Sequence, residues 1–281
     1  FNCLLMGVKT AELDLAVLGA DVEDVLGRPG RSRLRPRGYV AEWFSRDAAA
    51  ELLHLRSLVD GYESRDVLRV VLARAARSAR LTTHFDLDFP RAPQREPYWC
   101  HKHRRMCAPV QSAQKFVDRY LVDTLVRLRD FDRVREAGFS AEVIHGDATE
   151  VELDGSFDGI LTSPPYPGLI DYHEQHRYAY EILGLDDRRE RELGAAARGT
   201  SRAAIEAYVQ GVARVLERCS ARLDDGAPVL IVVNDRRDLY PEILRRSRLR
   251  LVERLERHVN RRTGRRAGEY FESILVCVRD S

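Results

Sequence analysis

The fold class is decided by a ten-residue stretch, residues 157–166, which reads FDGILTSPPY. Its apolar first half is typical of a β-strand, and the strand must end at the two prolines because proline cannot continue a central strand. In an open α/β sheet, ligands bind at the carboxyl ends of the strands. Pro164 and Pro165 carry no N–H, so their carbonyls and that of Ser163 are expected to be free to accept hydrogen bonds. The stretch therefore predicts a binding site at a sheet edge.

Tyr166 adds a flat aromatic face beside these acceptors. Acceptors next to a stacking surface suit a planar base with an exocyclic amino group that has been flipped out of a nucleic acid. The plain structural alternative is a tight proline turn that closes a strand. An apolar strand directly before the turn, with Gly146-Asp147-Ala148 upstream, favours the functional interpretation.

The rest of the second half predicts an α/β fold. Residues 141–145 and 228–234 are interpreted as strands, the latter (PVLIVVN) as one buried on both faces of a parallel sheet. Helical patterns at about residues 172–183 and 203–223 separate the strands and predict right-handed crossovers. Two final β runs, residues 249–259 and 270–278, predict a C-terminal β-hairpin.

The first 140 residues are mostly helical in pattern. Apolar spacings of three and four predict helices after Ser45 and Ser64, and a longer one around residues 116–128. Residues 80–109 are rich in proline, histidine and arginine and are interpreted as a loop. The sequence thus divides into a helical region, residues 1–140, and a catalytic core, residues 141–281.

Residues 163–166 resemble motif IV of the S-adenosylmethionine-dependent DNA amino-methyltransferases, (Asp/Asn/Ser)-Pro-Pro-(Tyr/Phe/Trp). The resemblance extends along residues 162–185, 229–234 and the terminal hairpin, about half of the chain. It implies a Rossmann-like methyltransferase sheet and methyl transfer to an exocyclic amino group in double-stranded DNA, as in restriction–modification or phage defence. The serine form of the motif is associated more with cytosine N4 than with adenine N6.

The resemblance also implies roles for individual residues. Tyr166 would stack on the flipped base, while the Ser163 hydroxyl and the Pro164 carbonyl would accept hydrogen bonds from its amino group; Pro165 completes the catalytic motif. Asp147, Thr162 and Asn2 are expected near the cofactor. Asn2 resembles the end of a segment in which an acidic residue just upstream binds the ribose.

One part of the family pattern is absent from the sequence. The glycine-rich loop (Phe-x-Gly-x-Gly) that binds the methionine part of the cofactor has no counterpart, since Gly7, Gly19, Gly27 and Gly30 lack its spacing. If Asn2 is correctly aligned, this loop and its strand would lie upstream of Phe1. A shortened gene, a cut fragment or a split enzyme whose second chain supplies the loop would each explain this, and each makes activity depend on the missing segment.

Two basic segments are candidates for DNA contact. Lys102, Arg104 and Arg105 lie next to Tyr98 and Trp99, a mixture of charge and stacking surface that predicts a DNA-facing, target-recognition loop. A second set lies in the connection between the last two β runs: Arg261, Arg262 and Arg265. These arginines are expected to bind phosphates, and the nearly equal alternative is that they form a solvated hairpin tip.

The first basic segment also contains possible metal ligands. Cys100, His103 and Cys107 could ligate zinc, with His101 as a fourth ligand. The spacing fits no standard finger or ribbon, so we predict no metal there. Asp171, His173 and His176, which follow the proline motif, are either close to the site or structural.

Composition sets the outer limits. The net charge is +2, and the 46 basic residues include only three lysines, which reflects either GC-rich coding or phosphate recognition by arginine. No segment approaches the roughly 18–20 apolar residues of a membrane span. Five scattered cysteines do not resemble a disulfide framework and, with no secretion signal, predict a reducing cytoplasm. An RNA base methyltransferase and a non-catalytic DNA-binding subunit remain alternatives.

Overall fold

The computed structural model describes residues 1–84, 86, 90–259 and 270–280. The chain forms two compact units. The first consists of Phe1–His145 and His173–Asp187, and the second of Gly146–Tyr172 and Arg188–Ser281. The first unit is mostly helical, and the second is built on a sheet.

Amphipathic helices and one small hairpin make up the first unit. The predicted helices after Ser45 and Ser64 and around residues 116–128 are confirmed as α4, α5 and α6, and their buried apolar residues form one core. The elements are α1 (Asn2–Thr10), α2 (Leu15–Leu26), α3 (Gly38–Trp43), α4 (Arg46–Val59), α5 (Arg65–Ala79), β1 (Tyr98–Cys100), β2 (Arg105–Cys107) and α6 (Gln114–Asp132).

The two predicted helix caps differ. The Ser45 hydroxyl accepts a hydrogen bond from the Ala48 N–H at 3.1 Å, which satisfies one of the free amides at the start of α4. Ser64 stands at the N-cap of α5, but its side chain makes no cap hydrogen bond.

Residues 80–109 are not a plain loop. Strands β1 and β2 pair antiparallel, with Tyr98 opposite Cys107 and Cys100 opposite Arg105. Three-residue strands have no periodicity that a sequence pattern can detect, which explains why the loop interpretation is wrong here.

The predicted helix over residues 172–183 is broken into two. Helix α7 (Tyr172–Gln175) and helix α8 (Arg177–Leu183) are separated by His176, which has a non-helical backbone conformation. Residues of α8 lie in the core of the first unit, where the helix packs against α5. These residues therefore do not pack as a crossover helix of the sheet.

The second unit contains a four-stranded sheet in the order β3-β4-β6-β5. Strands β3 and β4 are parallel, whereas β6 runs antiparallel to both β4 and β5, so the sheet is mixed. The elements are β3 (Ile160–Thr162), α9 (Arg202–Ser220), β4 (Val229–Val233), α10 (Tyr240–Arg246), β5 (Leu249–Val259) and β6 (Tyr270–Arg279). The long antiparallel pair β5–β6 confirms the predicted C-terminal strands.

Burial along β4 alternates between full and partial. Val229, Ile231 and Val233 are fully buried and pack with apolar residues of α9 and α10, while the residues between them are half-buried. The expectation that β4 is equally buried on both faces is therefore wrong, because one face is covered more completely than the other.

Residues 141–145 form no strand. Most of this segment is exposed, and a short apolar pattern cannot persist as a strand without a neighbour to pair with. The predicted phosphate-binding arginines Arg261, Arg262 and Arg265 lie outside the described residues. Within the described ranges, every helix is too short or too polar to cross a bilayer.

Candidate base-binding site

The Ser163–Tyr166 loop follows β3 directly, at the carboxyl end of a strand that pairs in parallel with β4 through Thr162 and Ile231. The Ser163 hydroxyl donates a hydrogen bond to the Val232 carbonyl at 3.0 Å. This fixes the hydroxyl proton, so the oxygen lone pairs are left to accept from another molecule. Ser163 is exposed, which leaves this acceptor accessible.

The two proline carbonyls have different surroundings. The Pro165 carbonyl accepts a hydrogen bond from the Tyr208 hydroxyl at 2.8 Å, so the expectation that it is free is wrong. The Pro164 carbonyl accepts no hydrogen bond from any residue that the structure describes. The loop thus keeps two acceptors that no described residue occupies, the Ser163 hydroxyl and the Pro164 carbonyl, while Pro165 anchors it to α9.

Two buried tyrosines form the anchor of the loop, Tyr208 on α9 and Tyr240 at the start of α10. Their hydroxyl groups lie 3.5 Å apart. Burial is the main cause that raises the pKa of both phenols, so each remains a neutral donor at physiological pH. Because the Tyr208 proton is always present, the Pro165 hydrogen bond does not depend on pH in the working range.

Tyr166 is held from the sheet side. Its hydroxyl donates to Glu272 Oε1 on β6 at 3.0 Å, and Glu272 in turn forms an ion pair with Arg257 on β5. This hydrogen bond restrains the ring, and Tyr166 lines a cavity of about 230 Å³.

This cavity is small, below the roughly 300–1,000 Å³ of most drug-sized ligand pockets, which fits a single planar ring system. Its walls combine aromatic rings with polar and basic groups. The lining includes Tyr166, Tyr208, Tyr240, Asn234, Asp235, Arg236 and Arg237.

Asn234 and Asp235 follow the end of β4 and combine a structural role with a place in the cavity wall. The Asp235 carboxylate accepts the N–H groups of Leu239 and Tyr240, each at 2.9 Å, and so caps the start of α10. Asn234 donates from its side chain to the Phe271 carbonyl at 2.5 Å. Both residues also line the cavity, which they can do because they follow the end of β4 next to the proline loop.

The three predicted cofactor residues occupy different settings. Thr162 is the last residue of β3. Asp147 does not end a strand; it opens a turn in which its Oδ1 accepts from the Thr149 N–H at 2.9 Å and hydroxyl at 2.7 Å. These bonds lower the pKa of Asp147, so its carboxylate is ionised. Asn2 is the exposed first residue of helix α1 in the first unit.

The predicted DNA-contacting residues Lys102, Arg104 and Arg105 are all exposed around the β1–β2 turn. Arg104 has a left-handed backbone conformation, with φ of 52°. The stacking surface beside them differs from expectation, because Tyr98 turns inward toward His84. The outward aromatic is Trp99, which pairs across the strands with exposed Met106.

His173 and His176 make packing contacts within the first unit. His173 is buried, its Nε2 lies 3.0 Å from Asp187 Oδ1, and its ring lies close to that of Tyr180 in a tilted arrangement. The ring of His176 lies close to those of Phe1 and Tyr178. These contacts favour the packing alternative over a role in the site.

Comparison with known proteins gives one informative match. Over 259 residues the chain is 36% identical to the type II methyltransferase M.MjaII of Methanocaldococcus jannaschii. The chain is similar to a type II methyltransferase. The match covers 86% of this chain and 49% of the relative, so the chain spans about half the length of that protein. No family model matches the chain, and no solved structure matches it.

The extent of this match exceeds that of the sequence motif. A match covering 86% of the chain must include much of the helical first unit as well as the sheet. The first unit is therefore part of what the chain shares with the methyltransferase.

Sequence reasoning missed Tyr208 and Tyr240 as parts of the site. Tyr208 lies on the buried, apolar face of α9, and the sequence pattern predicts that an aromatic residue at such a position belongs to the hydrophobic core. The signal that distinguishes it is its hydroxyl, because a buried phenol needs a hydrogen-bond partner. Here that partner is the Pro165 carbonyl.

Proposed function

We propose that this chain carries the base-binding loop of an S-adenosylmethionine-dependent DNA amino-methyltransferase of a restriction–modification system, acting on cytosine N4. The observation that carries the proposal is the Ser163–Tyr166 loop itself: the Ser163 hydroxyl and the Pro164 carbonyl accept no hydrogen bond from any described residue, and Tyr166 of the same loop lines a cavity. The similarity to a type II methyltransferase supports the same activity.

The arrangement suits an exocyclic amino group. Such a group has two N–H donors, and two neighbouring acceptors can take both while Tyr166 stacks on the ring. Hydrogen bonding of both protons raises electron density on the nitrogen and directs its lone pair away from the loop. The loop acts by positioning and by electrostatics, since no covalent intermediate is required.

Cytosine is favoured over adenine by the first residue of the motif. Ser163 provides a short, neutral acceptor whose proton is already committed to the Val232 carbonyl. In the family that the motif resembles, serine at this position is associated with N4 of cytosine.

S-adenosylmethionine, when bound, would supply the methyl group, but the described residues provide only part of a site for it. Asp147 offers an ionised carboxylate with one oxygen already committed to Thr149, and Thr162 ends β3. Neither they nor Asn2 replace the glycine-rich loop. We therefore assign the residues of this chain to the base and derive no step for the donor.

The sheet has an edge at which a further strand could pair. Among the described strands, β3 pairs with β4 alone, and Leu161 in β3 is 77% exposed. An apolar edge strand of this kind is normally covered. We propose that the segment carrying the glycine-rich loop, in the same polypeptide or in a second chain, pairs along this edge.

Double-stranded DNA is the proposed partner. Lys102, Arg104 and Arg105, with Trp99 beside them, supply charge and a stacking face in the first unit. Arg261, Arg262 and Arg265 remain proposed phosphate contacts. Cytoplasmic location follows from the proposed substrate.

Transfer of tritiated methyl groups from labelled S-adenosylmethionine tests the proposal. The protein is expressed from its full reading frame and offered mixed-sequence DNA or RNA, with Ser163→Ala and Tyr166→Phe as the variants. We expect label in DNA, a large loss in Ser163→Ala, and retention of most activity in Tyr166→Phe, which keeps the ring. Label in RNA alone would overturn the DNA substrate, and full activity of Ser163→Ala would overturn the site.

A further inference from the structure

The first unit contains a cluster of four side chains that the proposed base-binding site does not use. His84, Cys100, His103 and Cys107 each offer one ligand atom, and these four atoms all lie within 4.8 Å of one another. Both cysteines are buried and neither forms a disulfide.

The hairpin β1–β2 places three of the four. Residues 98, 100, 105 and 107 share one face of this antiparallel pair, so the Cys100 and Cys107 thiols point the same way. The turn between the strands brings His103 over that face, because the N–H groups of His103 and Arg104 both donate to the Cys100 carbonyl, at 3.1 and 2.7 Å.

His84 reaches the same point from outside the hairpin. Its backbone N–H donates to the Tyr98 hydroxyl at 3.0 Å, and that hydroxyl lies 2.8 Å from His84 Nδ1. Tyr98 thus holds His84 against the hairpin. Without a metal the hydroxyl can donate to Nδ1, whereas a bound metal would take that lone pair.

The spacing of the ligand atoms matches tetrahedral zinc. Cys100 Sγ lies 3.6 Å from both His84 Nδ1 and His103 Nδ1, and Cys107 Sγ lies 3.6 Å from His103 Nδ1. Bonds of about 2.3 Å to sulfur and about 2.05 Å to nitrogen at the tetrahedral angle separate the two atoms by about 3.6 Å. Three independent sulfur–nitrogen distances therefore agree with one metal position.

We propose that His84, Cys100, His103 and Cys107 bind one zinc ion. Two thiolates balance the charge of Zn²⁺, and two neutral imidazoles complete a closed set of four ligands, which is typical of a structural site. The site replaces the expectation of no metal and substitutes His84 for His101 as the fourth ligand. Its effect would be to fix the hairpin that presents Trp99 and the basic residues.

Metal analysis of the purified 281-residue chain, without DNA or cofactor, tests the proposal independently of the proposed function. We expect about one zinc ion per chain. His84→Ala and Cys107→Ser should lose it, whereas His101→Ala in the same turn and Cys219→Ser elsewhere should retain it. Equal zinc in all five proteins, or none in the unaltered chain, would overturn the site.

Two further measurements exclude misfolding and a disulfide. Cys107→His keeps a zinc ligand at the same position and should restore zinc that Cys107→Ser loses. The apo-chain titrated with Co²⁺ should develop intense tetrahedral d–d bands and thiolate charge transfer. A weak octahedral spectrum, or an intact mass two hydrogens below that of the reduced chain with no metal, would contradict the proposal.

Discussion

The Ser163–Tyr166 loop and the Tyr98–Cys107 hairpin are both short polar structures next to strand ends, but different forces hold them. The loop is fixed by the sheet and its neighbours, through the Val232 carbonyl and the Tyr208 hydroxyl. The inner face of the hairpin instead gathers four ligand atoms. Contacts within the protein therefore preorganise the loop, whereas the proposed zinc ion would complete the hairpin site.

Removing the proposed metal should give the largest difference between the two regions, because it should destabilise the hairpin and leave the Ser163–Tyr166 loop unaffected. A ligand present at a thousand times its Kd contributes about 4 kcal/mol, and 1 kcal/mol shifts the Tm of a domain of this size by about 2–4 °C. We therefore expect a chelator to lower the Tm of the first unit by about 10 °C in calorimetry and to leave that of Cys107→Ser unchanged. A chelator effect of equal size in Cys107→Ser would contradict the zinc assignment.

Removing the aromatic face should give the next largest effect, this time on activity. Stacking of a base on an aromatic ring contributes about 1–3 kcal/mol, so Tyr166→Ala should lower DNA methylation about 5- to 150-fold. Tyr166→Phe keeps the ring but loses the hydroxyl that donates to Glu272, and it serves as the matched control. Single-turnover methylation assays provide the comparison, and equal rates for the two variants would show that stacking is not the role of the ring.

Removing the Tyr208 hydrogen bond that anchors the loop should lower activity less than removing the Tyr166 ring. Tyr208→Phe removes the hydrogen bond to the Pro165 carbonyl, and such a bond contributes about 0.5–1.5 kcal/mol. We expect a corresponding loss of unfolding free energy in urea and a several-fold loss of activity, with zinc content unchanged. A variant as active and as stable as the unaltered chain would indicate that the loop needs no anchor.

The smallest predicted change concerns the surface of the hairpin. If Arg105 contacts one phosphate, Arg105→Gln should weaken DNA binding equally for all sequences and reduce the salt slope of log K by about 1. Arg28→Gln, an exposed arginine paired with Asp24 at 3.2 Å, is the control. Binding isotherms at several salt concentrations measure both, and an unchanged slope in Arg105→Gln would remove this residue from the DNA interface.

The sequence predicts contiguous features well. The proline loop after β3, the helices α4, α5 and α6 and the terminal strands follow from neighbouring residues whose spacing is itself the signal. Ser45 is a cap because its hydroxyl lies within reach of its own helix.

The features that the sequence did not predict correctly depend on partners that are distant in the chain. His84 is separated from Cys100 by an intervening segment, and nothing local marks it as a ligand. Residues 141–145 have a strand-like pattern, but a strand also needs a neighbour. Tyr208 has the periodicity of a core residue, and only the fold reveals that its hydroxyl meets Pro165.

Nucleoside mass spectrometry of host DNA tests the central claim most directly. The full reading frame is expressed in a host whose DNA lacks N4-methylcytosine, beside Tyr166→Ala at matched protein level. We predict N4-methylcytosine with the unaltered protein and a loss of most of it with Tyr166→Ala. Absence of any methylated base, or equal methylation by both proteins, would contradict the assignment of the Ser163–Tyr166 loop, and N6-methyladenine would contradict the choice of cytosine.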